Sequence, residues 1–70
     1  MSVASSLVES IYSAAGVAAA TVYQGADGLY YLYNLENQFM GTYNPVLNAT
    51  YTAYGKFVDY GNQLRILAGV

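Results

Sequence analysis

Neither cysteine nor histidine occurs in this chain of 70 residues, and those two absences set the terms on which it can fold. A domain this small buries only about 60% of the surface its unfolded chain exposes. Small domains make up the shortfall with disulfides, with a structural metal or by association. Disulfides are ruled out and no metal site is expected, which leaves association. The residue balance agrees, with 56% hydrophobic and 9% charged against about 25% charged in an ordinary soluble domain. So small an interior cannot hide that many apolar side chains, and large exposed apolar patches mark contact with protein or membrane. Nine Tyr without a Trp suit contacts that are buried but not fully dry, since each ring brings area together with a polar handle. For any single Tyr, filling the subunit's own core explains the ring equally well.

The uncharged stretch from Ser10 to Ala26 is mostly Ala, Ser, Thr and Gly, short of the ~20 strongly apolar residues of a membrane span. It reads as a packed helix. A signal peptide needs a basic start, and the first cation is Lys56, so the mature chain is expected to begin near Met1. A transient membrane contact before assembly stays open, because an uncharged Ala-rich segment enters a bilayer at modest cost.

The expected fold is mainly α, a single domain over 1–70 built as an antiparallel helical hairpin. Ser6-Leu7-Val8-Glu9 has capping-box spacing, and Leu7, Ile11, Ala14, Ala18 and Val22 recur at helical intervals, predicting an arm over about 7–22. Asn44 can cap and Pro45 can take the first helical position, predicting a second arm over about 46–68. On a helical wheel Leu47, Tyr51, Tyr54 and Val58 share one face, and Ala53, Phe57, Tyr60, Leu64 and Leu67 another. Between the arms lies a Tyr-rich connection, 23–45. The turn residues Gln24 to Gly28 and their β-favouring flanks allow a short β-hairpin over 21–33 or a helix that breaks and restarts. The subunit interface is expected to use Leu7, Ile11, Val22, Tyr51, Tyr54, Phe57, Val58, Leu64 and Leu67.

No catalytic constellation is visible, and an enzyme is not expected. The usual general base, thiol nucleophile and transition-metal ligands are missing, and Glu9, Asp27, Glu36 and Asp59 stand singly. No cofactor is implied. Lys56 and Arg65, the two cations, both fall in the carboxyl-terminal third. One reading has them line a channel that meets phosphates, with repetition over many subunits supplying affinity. The other has Lys56 pair with Asp59 and Arg65 offset a helix dipole, with no nucleic acid involved. Asn48-Ala49-Thr50 fits the N-glycosylation sequon.

The opening MSVASSLVESIYSAAGVAAA and the Tyr-rich middle resemble the small major coat protein of the clavaviruses, rod-shaped viruses of hyperthermophilic archaea. The resemblance implies a thermostable helical capsid, a virion location, and double-stranded DNA enclosed by many copies of the chain. It gives Lys56 and Arg65 the DNA-phosphate contacts. Filamentous bacteriophage coats share the acidic start and basic end, but Pro45 and the glycine breaks depart from their single continuous helix. The expected function is a self-assembling major capsid protein. The alternative is a pilus- or thread-like extracellular filament subunit without nucleic acid.

Overall fold

The computed structural model describes residues 5–70, with side chains from Leu7 onward. Six strands follow in order: β1 (Ser5–Tyr12), β2 (Ala18–Gly25), β3 (Tyr30–Asn34), β4 (Phe39–Asn44), β5 (Ala49–Thr52) and β6 (Phe57–Tyr60). One short helix, α1 (Leu64–Ala68), ends the chain. Each strand pairs antiparallel with the next, giving an open six-stranded meander.

The mainly helical hairpin is thereby overturned. The arm expected over 7–22 is most of β1, a turn and the first part of β2, and the capping-box residues Ser6 and Glu9 both lie within β1. The arm expected over 46–68 is a turn, β5, β6 and only at its end a helix. The supposed connection, 23–45, contains β3 and β4, and a hairpin with Val22 opposite Leu32 occupies 21–33.

Turn chemistry explains the difference. Left-handed backbone recurs at Gly16, Gly28, Asn37, Asn48 and Gly55, every 7 to 12 residues, whereas a helix shorter than ~12–15 residues is marginal without packing. Four of the turns repeat one bonding pattern. The first residue's N–H donates to the carbonyl four residues on: Ser13 to Val17 at 2.8 Å, Gly25 to Leu29 at 2.9 Å, Asn34 to Gln38 at 3.0 Å and Thr52 to Lys56 at 2.8 Å. The left-handed residue's N–H returns to the first residue's carbonyl, as Gly55 does to Thr52 at 2.9 Å. This is a type I turn closed by a left-handed residue, a common hairpin loop. In the remaining turn the Asn44 Oδ1 accepts from the Val46 and Leu47 amides at 2.9 and 3.2 Å. The capping expected of Asn44 therefore closes a turn between strands.

Between the turns, side chains alternate across the sheet. One face carries Ile11, Ala20, Val22 and Leu32, buried together with Leu64 from α1, and Tyr30, Met40, Tyr43, Leu67 and Ala68 pack around them. The helix lies against β3 and β4, where Gly41 leaves room for Leu67. Its approach is fixed by Thr50, whose buried hydroxyl donates to the Gly61 carbonyl at 2.7 Å and accepts from the Gln63 amide at 3.0 Å. From α1 the Arg65 guanidinium donates to the Tyr12 carbonyl at 3.2 Å, tying the helix to β1.

Candidate functional site

Nothing in the described residues covers the opposite face of the sheet. Cross-strand partners Leu7 and Tyr23, Thr21 and Tyr33, Tyr23 and Tyr31, Tyr33 and Phe39, Thr42 and Tyr51, Tyr51 and Phe57, and Ala49 and Tyr60 all lie on it, because directly paired residues share a side. Its strand residues carry no charge. The rings form two groups. In the first, Tyr23 meets Tyr33 edge-on at 5.8 Å between centroids, and Phe39 touches both Tyr33 at 5.7 Å and Tyr31 at 6.0 Å. In the second, Phe57 meets Tyr51 at 5.9 Å and Tyr60 at 5.1 Å. Such pairs are worth about 0.5–1.5 kcal/mol each beyond area burial. They stiffen the face while leaving it open to solvent, with Phe57 46% and Tyr60 67% exposed.

At the β5–β6 end the face is concave. Leu47, Tyr51, Phe57 and Tyr60 rise around Ala49, which is only 2% exposed, and enclose a cradle of about 510 Å³. Thr42 sits between the two ring groups, and its hydroxyl donates to the Tyr30 carbonyl at 2.7 Å. Its polar atom is thus satisfied.

Charge enters at the rim. The Tyr31 hydroxyl donates to Asp27 Oδ2, and the Leu29 amide donates to Asp27 Oδ1 at 3.0 Å. The phenol, and then the amide, hold the Asp27 carboxyl below its ordinary value, and the same bond raises the Tyr31 phenol. A lowered carboxyl contributes stability that is lost as pH falls through its folded value. A raised phenol contributes stability that is lost as pH rises through its own. The pair therefore helps the fold across the interval between the ordinary carboxylate and phenol ranges. Tyr31→Phe should return the Asp27 titration towards the ordinary carboxylate value, read by NMR of the Asp27 side chain against pH. An unchanged titration would mean that the phenol does not hold the carboxylate.

Among the residues expected at an interface, Leu7, Tyr51 and Phe57 lie on this uncovered face. Ile11, Val22 and Leu64 lie inside the subunit's own core, with Leu67 packed against it. Tyr54 stands 97% exposed at the tip of the β5–β6 turn, and Val58 is half-buried in β6. Lys56 and Arg65 are not brought together. Lys56 follows the β5–β6 turn, while Arg65 reaches over the covered face to the end of β1, four to five strands away, or about 19–24 Å at 4.8 Å per strand. Asn48 lies exposed in a left-handed turn with its Oδ1 accepting from the Tyr43 hydroxyl at 2.8 Å, and Thr50 of the same sequon is buried.

The expected interface leaves out Tyr23, Tyr31, Tyr33, Phe39 and Tyr60, and helical spacing misses the first four as members of one face. The signal that finds them is alternation, visible in Thr21-Val22-Tyr23 and Tyr31-Leu32-Tyr33, where aromatic and aliphatic positions take opposite sides. No group of three or more potential metal ligands, and no helix long and apolar enough to cross a membrane, is found among the described residues. Comparison with protein-family models, with curated proteins and with solved structures finds no match.

Proposed function

We propose that this chain is a non-enzymatic structural subunit that works by packing against copies of itself. The observation that carries this reading is the uncovered aromatic face, a contiguous apolar surface of the kind that marks protein contact. Tyr, Phe and few charges are also the composition enriched at the centre of interfaces. An assembly without nucleic acid needs only this face. A coat around double-stranded DNA would also need phosphate contacts from Lys56 and Arg65, which lie four to five strands apart and are not brought together, so the nucleic-acid-free assembly is the reading put forward.

Sedimentation of the purified chain tests it, alongside Tyr51→Asp and Phe57→Asp. Burying an unpaired carboxylate costs several kcal/mol. Each variant is therefore expected to run as a monomer with the strand signal in circular dichroism intact, while the unchanged chain runs as an assembly. A monomeric unchanged chain, or variants that assemble normally, would sink the reading. The 260/280 nm absorbance ratio of the assembly, unchanged by nuclease treatment, separates protein alone from enclosed nucleic acid.

A further inference from the structure

The strand register aligns one residue from every strand in a single row across the uncovered face: Leu7, Tyr23, Tyr31, Thr42, Tyr51 and Phe57. The row is about 24 Å long at 4.8 Å per strand and contains no charge. Thr42 is its one small member, with its hydroxyl already bonded to the Tyr30 carbonyl. With strands of four to eight residues at about 3.4 Å per residue, the face around it is about 14–27 Å deep along the strands.

The sheet edges, by contrast, are blunted. β1 carries register shifts between Leu7 and Glu9 and between Ile11 and Tyr12, with Glu9 on the strand itself. β6 has only four residues, a register shift opposite Thr50 and Tyr51, and Asp59. Bulges, short edge strands and edge charges are the devices that oppose growth by strand addition. The open surface is the face.

We infer that the partner of this face is a second copy of this chain, related by a two-fold axis parallel to the strands, so that the row lies over its own reverse. The inference rests on the self-association proposed above and adds which surface pairs and in which order. Reversal sets Leu7 over Phe57, Tyr23 over Tyr51 and Tyr31 over Thr42. It puts the bulky central ring against the small central residue, as close packing requires. The other two-fold, perpendicular to the strands, would stack Tyr31 on Tyr31 and Thr42 on Thr42, leaving crowding beside a gap. Reversal also delivers Leu7, an apolar side chain 59% exposed at the β1 edge, to the cradle around Ala49 at the far end of the partner's face. Two such sheets pack about 10 Å apart with their strands roughly aligned. Their contact is the same patch used twice, so it closes on itself.

The absence of cysteine gives a clean test. Leu7→Cys and Phe57→Cys alter exposed positions, where substitution is tolerated, and the two sites sit on opposite edges of one subunit. A short bis-maleimide is added to each variant alone and to an equal mixture, at a concentration where sedimentation shows the unchanged chain assembled. Cross-linked dimers are expected from the mixture and not from either variant alone. Cross-linking of Leu7→Cys to itself would overturn the reversed order. An assembly that gives no cross-link in any arm would overturn face pairing while leaving self-association standing. A monomer would overturn both, and a monomer whose tyrosine emission responds to a neutral oligosaccharide would assign the face to a carbohydrate.

Discussion

Replacing Leu32 by Ala is expected to remove about 2–5 kcal/mol of stability, the usual cost of truncating a buried Leu. A 70-residue chain has only about 4–10 kcal/mol in all at 0.05–0.15 kcal/mol per residue, so this one change can consume most of it. The site justifies the upper part of the range. Leu32 is wholly buried at the centre of β3, opposite Val22 on one side and Gly41 on the other, with Leu64 packed into the same cluster. Neighbouring strands hold the walls apart, which limits how far the cavity can collapse. Urea unfolding at one fixed protein concentration, since association shifts apparent stability, should show the midpoint falling by about half or more with the slope retained. Leu35→Ala is the control. Leu35 is 59% exposed in the β3–β4 turn, and its loss should stay within about 0.5 kcal/mol. Equal effects from the two changes would mean that the core does not centre on β3.

Much of the local chemistry was legible in the sequence, and the period was not. The turn at Gln24 to Gly28 is placed correctly by its residue types, whereas the break expected at Gly41 to Pro45 falls too early, since Gly41 to Asn44 lie in β4 and the turn begins only with Asn44 and Pro45. Helical spacing prevailed elsewhere because Ala14, Ala18, Ala20 and Ala53 fit any apolar period, so the wheel filled without discriminating. The stronger evidence was the repeat of Ser, Asn or Thr followed three residues later by Gly or Asn, at Ser13 and Gly16, Asn34 and Asn37, and Thr52 and Gly55. In each the first side chain accepts a turn amide, as Asn34 Oδ1 does from Glu36 and Gln38 at 2.9 Å, and the second residue takes the left-handed backbone. Regular turn signals at such spacing indicate consecutive short strands. Gly55, which falls inside the helical arm expected over 46–68, is a hairpin closure. The interface set was mixed for the same reason. A helical period groups Tyr51 with Val58 and Phe57 with Leu64, while the sheet groups Tyr51 with Phe57 and sends Leu64 to the other side. What survived the change of fold is the argument from size and charge, since the sheet has one face too many for so small a chain to cover.

Gly41→Ala should destabilise the chain, reversing the sign that residue preference alone would give. Gly inside a strand or helix ordinarily costs about 0.5–1 kcal/mol relative to Ala, so filling such a site usually helps. At Gly41 a methyl group would lie 2.6 Å from the Tyr51 carbonyl oxygen on β5 and would meet the Cδ1 of Leu67 from α1. The first obstacle is backbone held in the β4–β5 ladder, and the second is the side chain that presses the helix onto the sheet. Overpacking of this kind costs about 1–3 kcal/mol. The two obstacles can be separated by a double-mutant cycle with Leu67→Ala, which removes the side-chain clash and leaves the carbonyl. The double variant should lose less than the sum of the single losses, and it should still be less stable than Leu67→Ala alone. Urea midpoints of the four chains measure this directly. A stabilised Gly41→Ala would mean that α1 does not sit on β4, and the covered and uncovered faces would then no longer be distinguished by the helix.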